Sequence, residues 1–292
     1  MTRISPALAP PTAPPGRGLD PVARRAVAWF LGTLAVLTAA VMVPLWVVGA
    51  DADAFNAAVP LLSWAPALSA LTAHLLTGRR TTFARWTALR PLASRRVAGT
   101  CASVLGVFLV VPAMTTALGV ATGVVEWQPT AEAWGLAPLV LPFALLALVT
   151  VVGEEIGWRG ALQTTLAPWG AWRASLLIAG LWSLWHLPLT LGYASTGDLA
   201  VRDVVATSVD LLVVGVLLSA ARLASSSMWP AAWAHALMNS TLAFAESNLT
   251  TSARELADGP FWAAQAITWV VLAVTAGGAM AVTSRAPSTS RW

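Results

Sequence analysis

Eight runs of mostly apolar residues, each about as long as a bilayer's hydrocarbon core is thick, divide this chain and leave it little choice of fold. They cover roughly residues 25–49, 57–77, 97–122, 136–165, 172–192, 203–222, 228–246 and 260–283. A membrane-spanning helix satisfies its own backbone hydrogen bonds where no water is present to do so. The expected fold is therefore all-α and polytopic, with eight transmembrane helices forming one domain over 25–284. A disordered tail is expected at 1–24, where Pro6, Pro10, Pro11, Pro14 and Pro15 crowd together, and a short cytoplasmic tail at 285–292. Run 57–77 contains Pro60 and Pro66 and reads as interrupted, while 228–246 is short and mixed in polarity.

Composition supports the same class. Of 292 residues, 57% are hydrophobic and 10% are charged, where soluble domains carry about 25% charged residues. The mean hydropathy is +0.71. The net charge of +4 is carried by 17 arginines and no lysine. No arginine run is interleaved with aromatics as a nucleic-acid surface would be, so neither nucleic acid nor a soluble cofactor is expected as a partner. A single cysteine, Cys101, excludes an internal disulfide and any cysteine-rich metal site. The arginine-only, alanine-rich composition points to a bacterial genome and a multi-pass protein of the plasma membrane.

Arginine placement gives the topology. Positive residues concentrate in cytoplasmic loops, and with the N-terminus inside, only Arg202 and Arg254 fall outside. The outer loops collect Asp51, Asp53, Glu126, Glu132, Asp198, Asp203, Glu255 and Asp258. Eight spans with both termini cytoplasmic satisfy this pattern. A seven-span alternative with 57–77 re-entrant would put the arginine-rich loop 79–96 on the wrong face.

Few polar residues remain inside the spans, and such residues generally face a bundle interior or an aqueous cavity. They are Glu154, Glu155 and Arg159 in the fourth run, His186 in the fifth, Asp210 in the sixth, and His235 and Asn239 in the seventh. Glu155 and Arg159 are four apart and share a helix face, whereas Glu154 is rotated by about 100°. One carboxylate can thus be neutralised while the other stays available as a base or ligand. His235 and Asn239 are also four apart. At about 1.5 Å per residue from the cytoplasmic ends, Glu154, His186, His235 and Asn239 lie near 16, 20, 10 and 16 Å. They can meet at one level. Two imidazoles, a carboxylate and an amide suit a divalent metal such as Zn²⁺, or a held and activated water.

Glu154-Glu155-x-x-x-Arg159, then an aromatic-x-x-x-His ending at His186, then His235-x-x-x-Asn239 resembles the three-motif signature of the CPBP (or Abi) family. That family comprises CAAX prenyl endopeptidases and bacteriocin-processing or immunity-type intramembrane proteases. The motifs occupy about residues 150–242, and the eight-helix layout is similar over the rest. The resemblance implies a metalloendopeptidase in which Glu154 activates the attacking water and His186, His235 and Asn239 complete the polar cluster. Glu155 and Arg159 would orient that cluster or share the base role. Metal held by Glu154, His186, His235 and Asn239, and a glutamate-polarised water without metal, both fit these spacings. Trp182 stands where the family usually has Phe; since an aromatic is kept, unchanged chemistry in a pocket of altered shape is expected.

The implied substrate is a membrane-associated peptide or membrane protein entering from the cytoplasmic leaflet. Two other readings compete: a non-catalytic immunity or scaffold protein keeping the cluster for structure, and an ion-coupled transporter. Asp210 is expected to pair with Arg202 or to line the cavity, and His74 to sit at the membrane interface.

Overall fold

The computed structural model describes residues 18–285. The tail segments 1–17 and 286–292 lie outside the described residues. Eight long helices follow in order: α1 (Pro21–Val48), α2 (Ala52–Thr77), α3 (Arg95–Ala121), α4 (Val140–Glu155), α5 (Ala171–Thr196), α6 (Val201–Ser225), α7 (Trp229–Asn248) and α8 (Asp258–Arg285). No strand occurs among the described residues.

Local chemistry sets the ends. Asp20 caps α1, its Oδ1 accepting from the Ala23 N–H at 2.7 Å, and Pro21 supplies a preset first turn. Helix therefore begins at Pro21 rather than at the first strongly apolar residue. Asp51 caps α2 in the same way, accepting from the Ala54 N–H at 3.0 Å. Contrary to the sequence expectation, α2 is continuous through Pro60 and Pro66, as spanning helices tolerate proline when neighbouring helices support the freed backbone groups. α5 likewise runs through Pro188 to Thr196.

Seven helical rods are long and apolar enough to cross a membrane: α1, α2, α3, the rod Ala133–Trp169 that contains α4, α5, α6 and α8. The protein is an all-α, polytopic membrane protein. α7 is the eighth long helix and falls outside that set because it carries His235, Asn239, Ser240, Thr241 and Glu246 within its 20 residues. Its position suits this composition. α3, α4 and α6 pack around α7, and Ala231, Ala232, Ala234 and Ala236 are fully buried, so small side chains let the surrounding backbones close in. The outer face is apolar instead: Val47, Leu75, Val274 and Val282 are each about 70% exposed or more, as a lipid-facing surface requires.

α4 and α2 approach even more closely. A Cβ on Gly153 would lie 2.5 Å from the Ser63 carbonyl oxygen, and one on Gly157 2.5 Å from the Pro66 Cβ. Only glycine permits that contact, which sets the depth of the glutamate pair beside α2.

Candidate active site

Glu154 and Glu155 end α4, and the chain then widens into a π-helical segment, Ile156–Leu162, before Gln163–Leu166 resumes α-helix. Such π turns recur at functional sites because they redirect side chains that an α-helix would keep in register. Arg159 lies within this segment. Its Nη1 donates to Glu155 Oε1 at 2.8 Å, with both side chains fully buried. His235 Nδ1 lies 3.0 Å from the same Oε1. A carboxylate only accepts, so Nδ1 carries the proton, and in the neutral ring Nε2 keeps the lone pair.

Glu154 belongs to a different environment. It lines a cavity of about 240 Å³ together with His186, His235 and Asn239, and with Thr38, Ser63, Thr150 and Thr207 as further polar groups. The indole Nε1–H of Trp182 donates to Glu154 Oε2 at 2.8 Å. His186 Nε2 faces the same oxygen at 3.9 Å. On α5, His186 Nδ1 lies 2.8 Å from the Trp182 carbonyl oxygen, so Nδ1 again carries the proton and Nε2 is the acceptor in the neutral ring. Two acceptors facing each other across 3.9 Å call for a donor between them, and a water molecule has that character.

The structure thus places Glu154, His186, His235 and Asn239 around one cavity, and Glu155 with Arg159 behind His235 rather than in the lining. The donor types would suit a divalent cation. Asn239 has to count among the ligands, because among the described residues no three His, Cys, Asp or Glu side chains group closely enough to hold a metal ion by themselves.

Three features escaped sequence reasoning. The Trp182 N–H to Glu154 contact turns the aromatic of the second motif into a polar participant; its four-residue spacing from His186 was the available signal. Ser63, Thr150 and Thr207 reach the cavity from helices that carry no motif or, for Thr150, from one turn before it. Asp210 accepts from Trp269 Nε1 at 2.9 Å, while Arg202 pairs with Asp258 at 2.8 Å, so the expected Asp210–Arg202 pair is not formed. His74 stacks on Trp86, 22° from parallel, away from the site.

A groove adjoins the cavity. Thr38, Met42, Trp185 and Pro188 line both the cavity and this apolar groove of about 530 Å³ between α1 and α5. Trp185 Nε1 donates to Thr38 Oγ1 at 2.8 Å across that boundary.

Comparison with known proteins agrees with the motif resemblance. Residues 136–241 match the family model described as "Type II CAAX prenyl endopeptidase Rce1-like", a stretch that contains all six candidate site residues. A segment of 50 residues is 40% identical to "CAAX prenyl protease 2" of Methanococcus maripaludis. That similarity spans 17% of this chain and 18% of the relative. Both matches fit the CPBP family.

Proposed function

We propose that this protein is an intramembrane endopeptidase that hydrolyses a peptide bond in a membrane-associated peptide, with Glu154 as general base. The observation that carries the reading is the convergence of Glu154, His186, His235 and Asn239 on one cavity inside a membrane bundle. The match of residues 136–241 to CAAX prenyl endopeptidases supports it. In the proposed layout α7 completes eight crossings, with both termini at the arginine-rich cytoplasmic face.

The chemistry follows from the donor and acceptor roles. Water held between Glu154 Oε2 and His186 Nε2 gives a proton to Glu154 as its oxygen attacks the carbonyl carbon. General-base help of this kind contributes about 10²–10⁴-fold in rate. The developing oxyanion needs a hydrogen-bond donor, and the Asn239 amide supplies one. The proton passes from Glu154 to the amide nitrogen as the C–N bond breaks, which releases an amine and a carboxylic acid. Glu155 holds His235 in its Nδ1–H tautomer, as an orienting carboxylate does for an imidazole in many hydrolytic sites. The groove between α1 and α5 offers the substrate a lateral path from lipid to cavity.

The test uses purified protein in vesicles and three peptides: one with a farnesylated C-terminal cysteine motif, the same peptide without lipid, and a transmembrane peptide. Cleavage of any one, read by mass spectrometry and abolished by Glu154→Ala and His235→Ala in proteins that insert and fold normally, is the expected result. Full activity after either change would remove the assignment of the site. No cleavage by the wild type, together with an intact fold, would favour a non-catalytic protein that keeps the cluster for structure.

A further inference from the structure

One residue that is neither an acid nor an imidazole touches Glu154, His186, His235 and Arg159. Trp182 is fully buried. Its indole N–H donates to Glu154 Oε2 at 2.8 Å, and its carbonyl oxygen takes the His186 Nδ1–H at 2.8 Å. Its ring stands edge-on to both imidazoles, with centroids 5.1 Å from His186 and 5.1 Å from His235. The Arg159 guanidinium lies 4.4 Å over the same ring.

We infer that Trp182 is a positioning residue that fixes the Glu154 carboxylate to take the proton of the attacking water and ties it to the Glu155–Arg159 pair. The inference rests on the peptidase reading above for its kinetic consequence. Among the described residues no other side chain donates a hydrogen bond to Glu154; His186 Nε2, 3.9 Å away, is an acceptor in the neutral ring. With the indole N–H in place, Oε2 is pinned on the side that faces His186 Nε2. Without it, the carboxylate turns freely within the cavity. A shift of about 1 Å in a reacting group is enough to lower a rate on the order of 10²-fold.

This also gives the buried ion pair a use beyond holding helices together. Glu155 binds Arg159, Arg159 covers the Trp182 ring, and Trp182 reaches Glu154. Two glutamates adjacent in the chain are thereby connected through a residue on another helix. A phenylalanine at 182 keeps the ring over Arg159 and lacks the N–H. The aromatic class of the position therefore does not determine its chemistry.

Two variants and one spectroscopic readout test the idea. Trp182→Phe is expected to lower kcat about 10- to 100-fold, the range for a lost hydrogen bond to a charged group, with KM nearly unchanged. Replacing Trp182 with 3-benzothienylalanine exchanges the indole N–H for sulfur at nearly constant shape, and the same loss in kcat is expected. Recovery of wild-type kcat by the benzothienyl residue would show that ring shape alone matters and overturn the inference. Unchanged kcat in Trp182→Phe would do the same.

Independently of cleavage, the ¹⁵N–¹H resonance of the Trp182 indole, assigned by its absence in Trp182→Phe, is expected to move upfield when Glu154→Gln replaces a charged acceptor by a neutral one. A resonance indifferent to Glu154→Gln would contradict the contact even if the protein cleaved nothing. Loss of cleavage in Glu154→Ala with none in Trp182→Phe would leave the peptidase reading standing and remove this one.

Discussion

On one side of the site, Glu154 shares an open cavity with His186, His235 and Asn239; one residue along the chain, Glu155 is sealed against Arg159 with no exposed surface on either side chain. The two carboxylates are chemically identical, so their surroundings set the difference. The α-helix ends between them and the π-helical segment, and the glycine-backed approach of α2 fixes how deep each lies. A buried ion pair is a weak source of net stability compared with apolar packing of the same volume. Glu155 Oε2 and Arg159 Nε are also buried without a hydrogen-bond partner in the described structure. The sealed pair is thus better explained by what it orients, His235 and the Trp182 ring, than by the stability it adds.

Variants on the sealed side break this contrast most forcefully. Glu155→Ala leaves Arg159 as an uncompensated charge in a fully buried position, and loss of one partner of a buried pair costs about 3–5 kcal/mol. The expected outcome is a large fall in the unfolding midpoint measured in detergent, with activity lost as folded protein is lost. A comparable midpoint would show the pair to be less sealed than its burial indicates. Gly157→Val, on the α2 side of the same segment, puts methyl groups into the 2.5 Å approach to Pro66. Overpacking of this kind costs about 1–3 kcal/mol, read again as a lower midpoint, whereas Gly180→Ala, where a Cβ meets nothing within 4 Å, is expected to leave it in place.

The smallest effect belongs to the open side. Thr38→Val removes the acceptor for Trp185 at the boundary between groove and cavity, a loss of about 0.5–1.5 kcal/mol. It is expected to change KM by a few-fold with kcat near wild type and only a small fall in the unfolding midpoint. An altered kcat with constant KM would place Thr38 in the chemistry rather than at the entrance.

Much of this contrast was legible in the sequence because charge inside an apolar run is rare enough to stand out. Four-residue spacing paired Glu155 with Arg159 and put His235 and Asn239 on one face, and helical rise brought Glu154, His186 and both of those to similar depths. What was not legible depended on contacts between helices. Sixteen tryptophans gave no sign that the Trp182 N–H, unlike those at the interfaces, is directed at a carboxylate. Pro60 and Pro66 read as breaks, since local propensity says nothing of the neighbouring helices that keep α2 intact. α7 looked doubtful as a span for the reason that makes it central: its polar residues include His235 and Thr241, which are buried within the bundle, and it is screened by α3, α4 and α6. Asp210 and Arg202 sit eight residues apart on one helix, yet each finds a partner on or near α8 instead.

The most direct test of the account compares Glu154→Gln with Glu155→Gln in the same vesicles, with cleavage normalised to the folded fraction of each. Glu154→Gln is expected to lower kcat by about 10²–10⁴-fold at an unfolding midpoint close to wild type. Glu155→Gln is expected to lose stability first and to keep more of its activity per folded molecule. Retained cleavage in Glu154→Gln, or the reverse ranking of the two variants, would contradict the division of roles on which the mechanism rests.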